Sequence, residues 1–253
     1  MEILEFGNKE NKKIILIHGF QSPYQVWNEY IEYYKNKYHI IIPILPGHNP
    51  NKKEDFISFD NVVKELEDYY ISRYGSDVYA IYGMSMGGIV TAQLWQNKRL
   101  KVDKIIMESS PLISSGKFMS KMLTNTYLML THKTQQRDKK VVEQAVNSII
   151  SKDKLDVFLE MMDNMSDETI INYLKEVGKY KLLNNIDTLD TNVYYYYGTK
   201  INEMLAKKTA KYIKKYYPMA NIICFKGKAH CENSLMNPNL MIKELNKVLI
   251  YNN

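Results

Sequence analysis

A serine between glycines is the residue of this sequence best placed to do chemistry. The stretch "GMSMG" (83–87) puts Ser85 two positions from Gly83 and two from Gly87, and Gly88 follows directly. The whole chain has only 11 glycines among 253 residues, so this concentration is unusual. A serine hydroxyl becomes a nucleophile when a neighbouring base takes its proton. The pattern therefore makes Ser85 the candidate nucleophile of the sequence.

The elements on either side of Ser85 predict how its hydroxyl is presented. "DVYAIYG" (77–83) is typical of a buried strand, and "GIVTAQLWQN" (88–97) of a helix. A strand that passes into a helix within so few residues forces the central residue into an unfavourable backbone conformation, and the flanking positions must lack side chains. We expect the hydroxyl above the sheet edge, at a helix N-terminus that favours negative charge.

Strands and helices alternate through most of the chain. The apolar stretches that predict strands are 12–20, 38–49, 77–83, 102–110, 192–198 and 221–227. The amphipathic stretches that predict helices between and after them are 22–37, 58–75, 88–97, 202–217 and 237–252. Such alternation predicts an α/β fold with a mostly parallel sheet covered by helices on both faces.

The alternation stops between residues 112 and 185, where only helical patterns occur. They cover 116–132, 139–151, 154–165 and 167–183. We interpret 112–185 as an inserted helical cap, or lid, over the carboxyl edge of the sheet, where open α/β sheets bind ligands. Residues 1–111 and 186–253 would then form the core domain.

Composition excludes several classes of function. The net charge of +6 comes from 34 basic and 28 acidic residues spread along the chain, without the concentrated patch that nucleic-acid binding needs. The two cysteines, Cys224 and Cys231, have neither a disulfide framework nor metal-ligand spacing. No glycine-rich phosphate loop is present. We therefore expect no cofactor, no metal and no nucleic-acid partner.

Hydropathy bears on the cellular compartment. The first residues, "MEILEFGNKENKK", lack an apolar segment of signal-peptide length, and no apolar run reaches the roughly 18 residues of a membrane span. The expectation is a cytoplasmic protein without stable membrane insertion. The sequence leaves the oligomeric state open.

Together with "LIHGF" (16–20), the serine motif identifies a resemblance to the α/β-hydrolase superfamily over essentially the whole length. The resemblance implies that His18 shapes the loop after an early strand. It also implies that the backbone N–H groups of Phe20 and Met86 form an oxyanion hole. Two fixed donors aimed at a developing oxyanion are often the largest catalytic contribution.

The resemblance also singles out one of the five histidines as the base. His230, in "FKGKAHCEN", lies just past the last predicted strand, where the family carries its catalytic histidine. His48, in "LPGHN", resembles a family loop motif and is interpreted as structural. His39 and His132 carry no signal.

The acid of the triad departs from the family pattern. After the strand at 192–198 the family often shows glycine, two residues and then aspartate, but Ile201 occupies that position here. Glu203, two residues later, is the favoured candidate, and Glu108 is the alternative because some family members place their acid there. Asp187, Asp190 or no acid at all remain open.

The cap offers an apolar lining that the sequence leaves undecided. Its methionines are Met119, Met122, Met129, Met161, Met162 and Met165. We favour the interpretation that these methionines form helix cores facing the sheet over the alternative that they line a pocket for an acyl or alkyl group. The aromatics Phe20, Tyr24 and Trp27 are further candidates for pocket walls.

The resemblance implies a serine hydrolase of the carboxylesterase type, with an acyl-enzyme on Ser85. The expected substrate is a small to medium acyl ester, a thioester or a monoacylglycerol-like lipid. One rival function is a C–C hydrolase or lyase whose carboxylate substrate is held by cap cations. The candidate cations are Lys117, Lys121, Lys133 and Arg137. A second rival is a non-catalytic binding module, favoured only if the acid is missing.

Overall fold

The computed structural model describes residues 1–250 and forms one twisted sheet flanked by helices. In this part of the chain the sheet has seven strands in the order β1-β3-β2-β4-β5-β6-β7, and all neighbours are parallel except β1 and β3. The strands are β1 (Glu2–Phe6), β2 (Lys13–Ile17), β3 (His39–Ile44), β4 (Asp77–Met84), β5 (Lys101–Glu108), β6 (Asn192–Gly198) and β7 (Asn221–Phe225). The predicted α/β fold with a mostly parallel sheet is confirmed.

The central strands are buried along most of their length because helices cover both of their faces. All six residues of β3 are buried, and so are the seven residues of β4 that follow Asp77. A continuous run of Ile, Leu and Val is the expected sequence of such a strand. The core of the molecule therefore lies on the two faces of β2 to β5.

The first strand, β1, was not predicted. It pairs antiparallel with β3, with Glu2 opposite Ile44 and Phe6 opposite Ile40. Its five residues include two glutamates and are exposed or only half-buried. An edge strand of this kind lacks the long apolar run by which the other strands were recognised.

The helices follow the predicted order. In the core they are α1 (Asn28–Tyr34), α2 (Phe59–Tyr74), α3 (Met86–Asn97), α8 (Met204–Tyr216), α9 (Glu232–Met236) and α10 (Pro238–Leu249). Short 3-10 turns occur at Tyr24–Trp27, Lys152–Lys154 and Ile201–Glu203. The closing helix was predicted to Asn252, but Tyr251 and Asn252 lie outside the described residues. Helix α9 was not predicted.

Residues 112–185 are helical, as their sequence indicates. Their helices are α4 (Lys117–Gln135), α5 (Lys139–Val146), α6 (Leu155–Asn164) and α7 (Asp167–Lys179). Helix α5 ends earlier than the predicted residue 151. The hydroxyl of Thr169 accepts from the Phe56 N–H (3.1 Å), and the Asn172 amide donates to the Phe56 carbonyl (3.1 Å). These bonds fix α7 against the loop before α2.

A helix that crosses a bilayer must be both long and apolar. No helix within residues 1–250 is long and apolar enough to do so.

Candidate active site

Ser85 sits at a strained turn between β4 and α3. Its backbone has φ +50° and ψ −108°, in a region that residues other than glycine rarely adopt. The Ser85 N–H donates to the Glu108 carbonyl (2.8 Å), and the Gly88 N–H donates to the Ser85 carbonyl (3.1 Å). The surrounding structure thus holds the strain at this residue, as the sequence predicted.

The three glycines around Ser85 are required by close packing. A Cβ on Gly83 would overlap the Gly87 carbonyl, and a Cβ on Gly87 would overlap the carbonyl of Ile17 in the neighbouring strand. A Cβ on Gly88 would overlap the Ser110 hydroxyl. Any side chain at these positions would push α3 away from the sheet and shift Ser85.

The loop after β2 lies alongside the serine. A Cβ placed on Gly19 would be 3.4 Å from the Ser85 Cβ. The N–H of Phe20 donates to none of the hydrogen-bond acceptors within residues 1–250. The N–H of Met86 is the first of α3, where amides have no partner within the helix. Of the two amides proposed for an oxyanion hole, that of Phe20 thus follows the glycine beside Ser85, and that of Met86 follows Ser85 itself.

His18 and His48 hold this loop in place. The Leu45 N–H donates to His18 Nε2 (3.1 Å), and the Gln21 N–H donates to His48 Nε2 (3.0 Å). In both rings Nδ1 then carries the proton and donates to a backbone carbonyl. Burial lowers the pKa of His18 to about 4 and that of His48 to about 3, so both are neutral at pH 7. These contacts agree with the structural roles expected for them.

His230 meets a carboxylate directly. Its Nδ1 lies 2.7 Å from Oε1 of Glu203, which stands on the 3-10 turn after β6. The second oxygen, Oε2, accepts from the Gly198 N–H (2.7 Å) and from the Ser109 hydroxyl (2.9 Å). Burial acts to raise the pKa of Glu203, but its hydrogen bond and charge attraction to His230 and the two further donors lower it overall. Glu203 is therefore a charged, oriented partner for the imidazole.

The turn after β6 explains how Glu203 reaches His230 although Ile201 occupies the position of the usual aspartate. The N–H groups of Thr199 and Lys200 both donate to the Lys228 carbonyl, at 2.9 and 3.0 Å, which joins the loops after β6 and β7. Ile201 is 85% exposed, whereas Glu203 is fully buried. One 3-10 turn thus replaces the family spacing and turns the glutamate inward.

Glu108 has different partners. Its Oε2 accepts from the hydroxyls of Tyr82 and Ser234, and the side chain is fully buried. Burial raises its pKa to about 7, although both hydroxyl donors oppose the shift. Asp187 and Asp190 are exposed and do not line the cavity. Among the candidate acids, only Glu203 hydrogen-bonds His230 within residues 1–250.

The raised pKa of Glu108 predicts a pH-dependent stability. A carboxyl whose pKa is 4.5 when unfolded and about 7 when folded stabilises the protein fully below pH 4.5, and this contribution is lost as the pH rises to about 7. The loss amounts to about 3 kcal/mol. The Glu108→Gln variant has no such pH-dependent contribution. Between pH 4.5 and about 7, the free energy of unfolding of the wild type should therefore fall by about 3 kcal/mol relative to that of the variant. Urea unfolding measures this, and a pH-independent difference would contradict it.

Ser85 and His230 line the same cavity, which has a volume of about 710 Å³. Helices α4 and α7 contribute five of its apolar lining residues, namely Leu123, Tyr127, Tyr173, Leu174 and Val177. Polar side chains also line it, among them Gln144, Asn147, Ser148, Lys200 and Asn202. The cavity therefore presents both apolar and polar side chains around one serine–histidine pair.

Tyr173 is a site residue that the sequence did not reveal. Its ring stacks on Phe20 at a centroid distance of 4.0 Å, and it lines the same cavity as Ser85. A tyrosine at a helical position has no motif that would mark it. Only the packing of α7 over the sheet shows the contact.

Several candidate lining residues lie outside the cavity, and for the methionines this agrees with the favoured interpretation that they form helix cores. None of the six methionines of residues 112–185 lines the cavity; Met161, Met162 and Met165 are buried among the helices. Phe20 lines it, but Tyr24 and Trp27 do not, since Trp27 packs on core aromatics instead. The four cations proposed for a carboxylate substrate also lie outside the lining.

Within residues 1–250, no group of three or more His, Cys, Asp or Glu side chains is arranged to hold a metal ion.

Comparison with known proteins decides the family. The family model for the alpha/beta hydrolase fold matches residues 12–219, which is most of the chain. The chain belongs to the α/β-hydrolase family. This confirms the resemblance found from the serine motif and the histidine–glycine turn.

Relatives and solved structures extend the comparison of this α/β hydrolase. It is 24% identical to a pimeloyl-[acyl-carrier protein] methyl ester esterase of Legionella pneumophila, over 86% of this chain and 87% of that protein. A hydrolase of Desulfitobacterium hafniense superposes with a TM-score of 0.79 at 19% identity, covering 98% and 100% of the two chains. A structure from work on carboxylesterases of Nitrososphaera gargenis gives 0.75 at 18% identity, covering 98% and 93%. The structural likenesses show the fold.

Proposed function

We propose that this α/β hydrolase, an ester-hydrolysing enzyme, works through an acyl-enzyme on Ser85. The observation that carries the proposal is the 2.7 Å contact between His230 Nδ1 and Glu203, in a cavity that His230 shares with the strained serine. A nucleophile, a base and an orienting acid are the parts that serine hydrolysis needs.

In acylation His230 acts first as a base and then as an acid. The Ser85 hydroxyl attacks the carbonyl carbon of the ester while His230 Nε2 takes its proton. The carbonyl oxygen becomes an oxyanion, held by the N–H groups of Phe20 and Met86. As the tetrahedral intermediate collapses, the carbon–oxygen bond to the alcohol breaks, and His230 returns the proton to the leaving oxygen.

Deacylation repeats these steps with water as the nucleophile. His230 takes a proton from a water molecule, whose oxygen attacks the acyl carbon and forms a second tetrahedral intermediate. The bond to Ser85 Oγ then breaks, the proton passes from His230 to that oxygen, and the carboxylic acid leaves.

Glu203 fixes the histidine for both steps. By accepting from Nδ1, it leaves Nε2 free to take a proton and stabilises the imidazolium that forms. Its own lowered pKa keeps it charged near neutral pH, so the partner of the imidazole does not change with moderate acidification.

The cavity supports an acyl ester as substrate. The apolar lining residues from α4 and α7 suit a small to medium acyl chain, while polar lining residues such as Asn147 and Asn202 suit an alcohol or thiol leaving group. We therefore retain acyl esters, thioesters and monoacylglycerol-like lipids as the substrate class. Residues 112–185 act as a cap in this proposal, because α4 and α7 contribute part of the apolar lining.

The two rival functions have less support. A C–C hydrolase or lyase acting on a carboxylate would use fixed cations, but Lys117, Lys121, Lys133 and Arg137 are not in the lining. Arg137 instead pairs with Asp163 at 2.6 Å. A non-catalytic binding module would follow from a missing acid, and Glu203 stands at hydrogen-bonding distance from the histidine.

A fluorophosphonate probe tests the proposal. It reacts with serines that a base activates, so the native protein should be labelled at neutral pH. Ser85→Ala should remove the labelling. Ser148→Ala is the matched control, because Ser148 is another serine in the lining of the same cavity, and it should label like the wild type. A wild-type protein that does not react, or a Ser85→Ala protein that still does, would overturn the proposal.

A further inference from the structure

Helix α4 carries an apolar stripe on its outer side. Phe118 is 83% exposed, and Met122 and Met129 are each 48% exposed. At about 100° per residue these three positions fall within about 40° of one another on the helix. We call them the outer stripe. Large side chains exposed together in this way differ from singly scattered apolar residues, which need no explanation.

Basic residues flank the outer stripe. Lys117 and Lys121 lie to one side of it and Lys133 to the other, and all three are exposed. Helix α4 contains no aspartate or glutamate. Two polar residues, Asn125 and His132, share the stripe's face, and His132 contacts the Asp167 carboxylate of α7 at 2.7 Å. The face is therefore apolar at its centre and positively charged at its margins.

The opposite side of the same helix belongs to the cavity. Leu123 and Tyr127 line it, about 140° and 180° around the helix from Phe118. One helix thus separates the proposed acyl compartment from the outer stripe. A surface that contacted the stripe would lie one helix diameter from the acyl compartment, about 10 Å.

An apolar stripe between lysines is the arrangement of helices that lie in the interface of an anionic bilayer. We propose that the outer stripe docks this protein on an anionic lipid surface, which presents membrane-dissolved acyl esters to the cavity. The apolar side chains enter the acyl boundary, while the lysines contact the headgroup phosphates. The docking does not depend on catalysis, but the supply of substrate rests on the function proposed above.

Vesicle binding tests the docking. Wild-type protein should co-sediment with phosphatidylcholine vesicles that contain phosphatidylglycerol, more weakly with phosphatidylcholine alone, and less as salt rises. The double variant Phe118→Ser/Met122→Ser, which we call the stripe variant, should bind these vesicles at least about tenfold more weakly. Lys117→Gln/Lys121→Gln should weaken binding to the anionic vesicles by roughly fivefold for each lysine.

A matched control is available on another surface. Met219 is 85% exposed and lies outside α4, so Met219→Ser removes an exposed apolar side chain without touching the stripe. It should bind vesicles like the wild type. Absence of binding to anionic vesicles, or equal losses in Met219→Ser and the stripe variant, would overturn the proposal. The proposal would also be overturned if the wild type formed a dimer and the stripe variant did not, because a second copy of the chain would then cover the stripe.

A soluble ester separates this inference from the proposed function. Hydrolysis of p-nitrophenyl acetate needs no lipid surface, so the stripe variant should keep the wild-type rate and melting temperature. If the wild type binds vesicles but hydrolyses no ester, the docking stands and the catalytic proposal fails. If it hydrolyses the soluble ester but binds no vesicle, the docking inference alone is wrong.

Discussion

Ser85→Ala should lower kcat/KM for p-nitrophenyl butyrate by about 10⁴-fold or more, because the variant has no group to form the acyl-enzyme. The fold should be unaffected, since alanine meets the same positive φ as serine and introduces no new contact. Initial-rate measurements together with a thermal melt check both statements.

A Ser85→Ala variant that remained active would contradict this prediction. If Ser85→Ala kept more than about a tenth of the wild-type rate with an unchanged melt, the hydroxyl would not be the nucleophile. The cavity would then have to activate water directly, and the backbone strain at Ser85 would need another explanation.

Glu203→Gln should lower kcat by about 10³ to 10⁴-fold, with a smaller effect on KM. The amide keeps the size of the side chain, but it loses the charge that stabilises the imidazolium and can favour the wrong tautomer of His230. The comparison variant is Glu108→Gln, another buried carboxyl at the sheet edge. It bonds Tyr82 and Ser234 instead of the histidine, so its kcat should stay within about tenfold of the wild type.

The pair of variants discriminates between the two acids. A large loss in Glu108→Gln with a small loss in Glu203→Gln would assign the role to Glu108. Small losses in both would mean that His230 works without an orienting carboxylate. A thermal melt of each variant separates a catalytic loss from unfolding.

Local sterics explain why the sequence predicted the serine turn. The bend at Ser85 needs glycines at fixed offsets, and a strand must precede it and a helix follow it. All of these requirements fall within about 20 consecutive residues. The parallel sheet was equally accessible, because β2 to β5 are strands with mostly buried, mainly apolar residues, and amphipathic helices alternate with them.

The acid and the cavity wall depend on contacts that local patterns do not encode. Glu203 reaches His230 because one 3-10 turn replaces the usual spacing and because the Lys228 carbonyl ties two loops together. Likewise, the helical pattern of α7 shows that Tyr173 is on a helix but not that it lines the cavity together with Ser85. The edge strand β1 was missed because glutamates interrupt its short apolar pattern.

The central claim is that the histidine–glutamate pair activates Ser85, and the most direct measurement is to locate the fluorophosphonate adduct by peptide mass spectrometry. The adduct should be found on the peptide that contains Ser85, and Glu203→Gln and His230→Ala should form it far more slowly than the wild type. An adduct on a different residue, or one formed on Ser85 at the same rate without His230, would contradict the claim.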